Sequence, residues 1–118
     1  MQDINLLKNN GIDVDSGIDI LGDLDTYNEI LADFLEASGE RMLKLEEYKN
    51  AMDMKNYAIE VHALKGDSKY LGFTKLADIS LAHQLKSEEN NIDYVNNHYN
   101  ELVNEANRII NVVNDYLN

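Results

Sequence analysis

The chain has 118 residues, 44% of them hydrophobic, which is enough for one core and too few for two, so we expect one domain over residues 1–118. Its formal net charge of −12, from 22 acidic and 10 basic side chains, repels nucleic acid and anionic membrane surfaces, so neither is expected as a partner. The sequence contains no cysteine, no run of about 20 apolar residues and no basic, apolar N-terminal leader. These features together predict a cytoplasmic protein.

The chain contains no proline and only six glycines, a composition that favours long helices. Apolar spacing predicts a short helix from about Asp13 to Leu21, while the first ten residues form a loose helical turn or stay partly disordered. A long second helix is predicted to begin near Thr26, which forms a Thr-x-x-Glu capping pair with Glu29, and to end near Asn50.

Three more amphipathic helices follow. The third is predicted to begin after Asp53, a preferred N-cap residue, and to stop at Gly72, where a left-handed residue is expected. Its inward stripe consists of Tyr57, Val61, Leu64, Ser68 and Leu71. The fourth helix runs from about Thr74 to Ser87, and the last spans about Ile92 to Leu117. Short connections favour an all-α fold, an antiparallel up-down-up-down four-helix bundle with a short N-terminal helix.

Three familiar ligand-binding motifs fail on inspection. An aspartate-rich stretch resembles the start of a calcium loop, but Ile18 and Leu24 stand where that loop needs Gly and Glu. Gly17 and Gly22 have the spacing of a phosphate-binding loop, but Asp23 stands where its lysine is required. None of the three histidines has a glutamate three residues before it, as a di-iron bundle requires. We therefore expect no metal and no cofactor on this chain.

One histidine stands out by its position on the third helix. At about 100° per residue, His62 lies well over 90° from the centre of the apolar stripe, so we expect its side chain to face solvent. Lys65, Gly66 and Lys69 follow at i+3, i+4 and i+7 and share its face, in a locally basic stretch between residues 55 and 75. A helix-interior glycine costs about 1 kcal/mol relative to alanine, so Gly66 indicates that another group must approach the backbone closely.

Apolar residues flank the same face. Ala58 and Ile59 lie on either side of it and are expected to form an exposed apolar rim, which suits docking against another protein. The other two histidines have plainer interpretations. His83 is expected to be a partly buried structural residue and His98 a surface residue.

The segment 62–72, His-Ala-Leu-Lys-Gly-Asp-Ser-Lys-Tyr-Leu-Gly, resembles the His-x-Leu-Lys-Gly-x-Ser-x-x-Leu-Gly signature of histidine-containing phosphotransfer (HPt) domains. The likeness extends over residues 11–85. It implies a four-helix bundle that takes a phosphoryl group from an aspartate of one receiver domain and gives it to another. By position, His62 would be phosphorylated, Lys65 would stabilise the phosphoryl group and Gly66 would leave room for it.

The resemblance also implies partners. These are response-regulator receiver domains, with a hybrid sensor histidine kinase as a further candidate, and Mg²⁺ is expected on the receiver. Ala58, Ile59 and Lys69 would contact the partner. The chain would be a monomeric phosphocarrier without autokinase activity, since it has no nucleotide-binding motif. His83 and Gln84 stand where the family usually has Leu and Glu. The alternative function is a helical protein-interaction module that is not phosphorylated.

Overall fold

The computed structural model describes residues 2–118, and Met1 lies outside the described residues. The described residues form helices and no strand, in the order α1 (Ile4–Asn9), α2 (Val14–Leu21), α3 (Leu24–Asn50), α4 (Met54–Leu71), α5 (Thr74–Glu88) and α6 (Ile92–Leu117). The predicted all-α bundle is confirmed. Two short helices precede it instead of one, because Leu7 is fully buried and anchors α1.

The four long helices form the bundle. α4 packs between α3 and α5, and α6 closes the ring by packing on α5 and α3. At 1.5 Å per residue, α3 is about 40 Å long, which matches the longest dimension of the molecule, 40 Å. The inward stripes supply the fully buried core, which includes Tyr27, Leu31, Leu45, Tyr57, Val61, Leu64, Leu71, Leu76, Val95, Leu102 and Val113. Within residues 2–118, no helix combines the length and the apolar character needed to cross a membrane.

Aspartate side chains determine where several helices begin. Asp53 caps α4 as predicted, since its Oδ1 accepts a hydrogen bond from the Asn56 backbone N–H at 3.2 Å. The capping pair predicted at the start of the second helix is wrong. α3 begins two residues earlier, at Leu24, because the carboxylate of Asp23 accepts from the Thr26 N–H at 2.8 Å. In the aspartate-rich stretch of the N-terminal region, Asp13 likewise caps α2, since its Oδ1 accepts from the Ser16 N–H at 3.1 Å.

A left-handed glycine makes the turn between α4 and α5. Gly72 has φ 82°, as predicted for the residue that ends α4, and the Phe73 N–H donates back to the Ser68 carbonyl at 2.8 Å. A side chain at Gly72 would also overlap the backbone of Asp13, whose N–H donates to the Gly72 carbonyl at 2.9 Å. This close turn places α5 beside α4 and forms the cleft in which the candidate site lies.

Candidate functional site

α4 presents His62 to solvent. Its apolar stripe, which is buried from Tyr57 to Leu71, faces the core, and the His62 side chain lies on the far side of the helix and is exposed. The orientation predicted from periodicity is therefore confirmed.

The residues one and two turns further along α4 share this face. Lys65 and Gly66 are partly exposed, and Lys69 is exposed. A Cβ built on Gly66 would meet no atom within 4 Å beyond its own helix. Packing inside this chain therefore does not require glycine at position 66, and the backbone there stays open to an approaching group.

The apolar rim differs from the prediction. Ile59 is 60% exposed, as expected, but Ala58 is only 8% exposed. The expected exposure of Ala58 is wrong because α5 packs against α4 on that side and covers the small side chain. Ala58 instead lines the groove beside His62.

Gln84 on α5 contacts the imidazole directly, and the sequence analysis did not identify it as a site residue. Its Oε1 lies 3.1 Å from His62 Nδ1. An amide oxygen only accepts hydrogen bonds, so Nδ1 is the donor and carries the ring proton. Within residues 2–118, Nε2 has no hydrogen-bond partner. The ring is thus held at one nitrogen and keeps a free lone pair at the other.

Two grooves run along the cleft between α4 and α5 on either side of this contact. The first, about 700 Å³, extends from His62 towards the start of α4 and is lined by Met54, Lys55, Ala58, Ile59, Gln84, Ser87, Glu88 and Asn90. The second, about 370 Å³, extends from Lys65 towards the end of α4. Its charged lining residues are Lys65, Lys69, Asp13 and Asp78. A partner that contacts both grooves would therefore cover His62.

The acidic residues of the α4 segment are turned towards α3. Arg41 of α3 donates to Asp67 at 2.7 Å and its Nε lies 3.6 Å from the Glu60 carboxylate. One guanidinium thus pairs with both carboxylates on the α3 side of α4, away from the face that carries the lysines. The lysines of the locally basic segment thus lie on the side of α4 that carries His62, and its two carboxylates lie on the side of α3.

The remaining histidines are separate from the site. His83 is fully buried, more than expected, and its ring bridges three helices. The Tyr57 hydroxyl donates to His83 Nδ1 at 2.8 Å, and His83 Nε2 donates to the His98 carbonyl at 3.1 Å. Burial lowers the pKa of His83 and keeps the ring neutral. His98 is partly exposed and stacks on Tyr94 at 4.1 Å.

Comparison with known proteins identifies the family. The family model of the Hpt domain matches residues 29–111, well over half of the chain. A search of curated proteins and a search of solved structures gave no match. The matched range contains His62 and the four long helices, apart from the first residues of α3 and the last of α6. The chain belongs to the Hpt domain family and has a phosphotransfer role in two-component signalling, as a phosphocarrier that interacts with receiver domains.

Proposed function

We propose that His62 accepts a phosphoryl group from an aspartate of one receiver domain and passes it to a second receiver. The observation that carries the proposal is the state of the ring. The side chain is exposed, Nδ1 donates to Gln84, and Nε2 has no hydrogen-bond partner among residues 2–118. A neutral imidazole nitrogen with a free lone pair is a competent nucleophile towards an acyl phosphate.

In the proposed step, the Nε2 lone pair forms a bond to phosphorus. The bond between phosphorus and the aspartyl oxygen breaks, and its electron pair leaves with the carboxylate. The ring keeps the Nδ1 proton, still donated to Gln84, and gains one positive charge beside the dianionic phosphoryl group. No base is needed to remove a proton, and the reverse step delivers the group to the second receiver.

This chain contributes charge and space to the transfer. Phosphoryl transfer depends mainly on in-line positioning and on stabilisation of the charge on the phosphoryl oxygens. Lys65, one turn from His62, provides a cation on the same face, and the open backbone at Gly66 leaves room for the incoming phosphoaspartate. We expect Mg²⁺ to be held by the receiver rather than by this chain.

The receiver would dock over the cleft between α4 and α5. Ile59 supplies an exposed apolar contact beside His62, and Lys69 supplies a charged one on the other side. Ala58 would contribute through the wall of the first groove instead of an exposed rim. Both grooves would then lose their water around the reacting nitrogen.

Transfer from a phosphorylated receiver tests the proposal. Label from the phosphoaspartate should appear on this chain as an acid-labile, alkali-stable adduct at His62 and should be lost in His62→Gln. His98→Gln, which changes the partly exposed histidine on α6, should be labelled like the wild type. Incubation with ATP alone should give no label.

The alternative, an interaction module that is not phosphorylated, predicts a different result. Such a module would bind the receiver but take no label, and His62→Gln would bind as well as the wild type. Label that persists in His62→Gln, or that maps to His98, would contradict the assignment of His62.

A further inference from the structure

The Gln84 side chain is held at both ends of its amide. Its Oε1 lies 3.1 Å from His62 Nδ1, and its Nε2 donates to a carboxylate oxygen of Glu88 at 3.3 Å. Gln84 and Glu88 are one turn apart on α5, so they lie on the same side of that helix. A carboxylate only accepts hydrogen bonds, and Glu88 therefore favours the amide orientation that turns the nitrogen towards itself and the oxygen towards His62.

The orientation of this amide decides which ring nitrogen carries the proton. With the oxygen towards His62, Nδ1 must donate and Nε2 keeps the lone pair. With the amide reversed, the NH₂ group would face Nδ1, which would then have to accept, and the ring proton would sit on Nε2. Only the first arrangement leaves Nε2 ready to attack phosphorus.

Glu88 is free for this contact. The neighbouring Glu89 pairs with Lys86 at 3.7 Å, whereas Glu88 has no ion-pair partner within residues 2–118. The Glu88 side chain lines the same groove as His62 and Gln84, and Lys55 is the other charged residue of that groove. The carboxylate thus lies at the site without touching the imidazole itself.

We propose that Glu88 is a positioning residue that acts through Gln84, holds His62 in the Nδ1–H tautomer and so selects Nε2 as the nitrogen that takes the phosphoryl group. The inference rests on the proposed function for its consequence, since the choice of nitrogen matters only if His62 is phosphorylated. The tautomer itself can be measured without any phosphoryl donor.

The test measures the His62 tautomer by long-range ¹H–¹⁵N correlation NMR on the full chain, at a pH where titration shows the ring to be neutral. An unrestrained neutral imidazole favours the Nε2–H form, so an excess of Nδ1–H reports the contact with Gln84. Glu88→Lys replaces an acceptor by a donor and should turn the amide round. The Nδ1–H to Nε2–H ratio should then fall by roughly threefold or more, a size typical of one exposed charge-assisted hydrogen bond.

Glu89→Lys is the matched control, because it makes the same charge change on the adjacent residue and leaves Gln84 and Glu88 in place. Gln84→Ala should lower the ratio as Glu88→Lys does, since it removes the acceptor. A ratio in Glu88→Lys equal to that in Glu89→Lys would overturn the role of Glu88.

Transfer kinetics separate this inference from the proposed function. Glu88→Lys should take phosphate from the receiver more slowly than Glu89→Lys, by the factor by which the Nδ1–H fraction has fallen, which is up to about twofold for a roughly threefold fall in the ratio. Failure of the wild type to take label at His62 would overturn the proposed function while leaving the tautomer result valid. Normal labelling of wild-type His62, together with an unchanged tautomer ratio in Glu88→Lys, would overturn the role of Glu88 and leave the proposed function standing.

Discussion

His62 depends on two kinds of neighbour. Lys65 and Gly66 lie one turn along the same helix and stay accessible to a partner, whereas Gln84 comes from α5 and holds one ring nitrogen. In the proposed transfer, Lys65 and Gly66 would act on the phosphoryl group and Gln84 on the ring. Substitutions at these positions should therefore separate transfer rate from stability.

Lys65→Ala should slow phosphoryl transfer by about tenfold, because its charge opposes the charge on the phosphoryl oxygens and solvent screens part of the effect. Its thermal stability should stay close to that of the wild type, since the side chain is partly exposed and outside the core. Single-turnover transfer from one receiver and thermal unfolding by circular dichroism measure the two effects. Lys44→Ala, on α3, makes the same charge change and should transfer normally. Wild-type kinetics in Lys65→Ala would remove this lysine from the mechanism.

Gly66→Ala should stabilise the protein by up to about 1 kcal/mol, because alanine favours the helix and its Cβ meets no other atom. Gly66→Gln should slow transfer, since a side chain at i+4 projects beside His62 and obstructs the incoming phosphoaspartate. Gly39 is the matched control, a helical glycine on α3 with the same open space. Gly39→Ala should gain similar stability, and Gly39→Gln should transfer normally. Normal transfer in Gly66→Gln would show that close approach is not the reason for the glycine.

Among the helices, α4, α5 and α6 are tied together by one buried polar chain. Tyr57 on α4 donates to His83 on α5, and His83 donates to the His98 carbonyl on α6. Burial raises the pKa of Tyr57, so its hydroxyl stays a donor. These two contacts satisfy both ring nitrogens of His83 in the neutral form, which burial favours. Because Gln84 follows His83 directly, the same contacts hold α5 in the position that brings Gln84 to His62.

The buried hydrogen-bonded series of Tyr57, His83 and His98 predicts that the stability of the protein depends on pH. Burial, the largest cause, lowers the pKa of His83 in the folded state; the hydrogen bond to the His98 backbone raises it, the His98 charge lowers it and the Glu101 charge raises it. The unfolded state therefore binds a proton first, and the contribution of neutral His83 is fully present above the unfolded pKa of about 6.5. As the pH falls below that value, the free energy of unfolding should decrease by up to about 1.4 kcal/mol per pH unit.

Urea unfolding at several pH values between about 7 and 5 measures this slope. Tyr57→Phe combined with His83→Leu removes the titrating ring and its hydroxyl donor together, and it should flatten the slope whatever its effect on the stability at pH 7. An equally steep slope in the double variant would place the titration at another group. The caps Asp23 and Asp53, whose pKa values are lowered by hydrogen bonds to Thr26 and Asn56, act only at more acidic pH.

For the molecule as a whole, charge is distributed unevenly. The chain carries −12, yet the α4 face around His62 carries Lys55, Lys65 and Lys69, while Glu60 and Asp67 are turned towards Arg41 of α3. The bundle thus groups three of its few cations on the side of α4 that carries His62.

The sequence by itself determined the helices and the exposure of His62. The sequence can show the apolar periodicity, the Asp53 cap and the left-handed Gly72 because each depends on residues that are only a few positions apart in the chain. The segment from His62 to Gly72 was also sufficient to indicate the Hpt family, which the family match confirms. The start of α3 was misplaced because Asp23 and Thr26 are both good caps, and spacing alone does not rank them.

Only the tertiary structure decided what surrounds the imidazole. Gln84 reaches His62 across 22 residues, and Arg41 reaches Asp67 across 26. Ala58 is covered because α5 packs beside it. Each of these contacts depends on the register and separation of neighbouring helices. The register and separation of the helices are set by side-chain packing across the whole bundle, and the residue spacing along one helix does not indicate them.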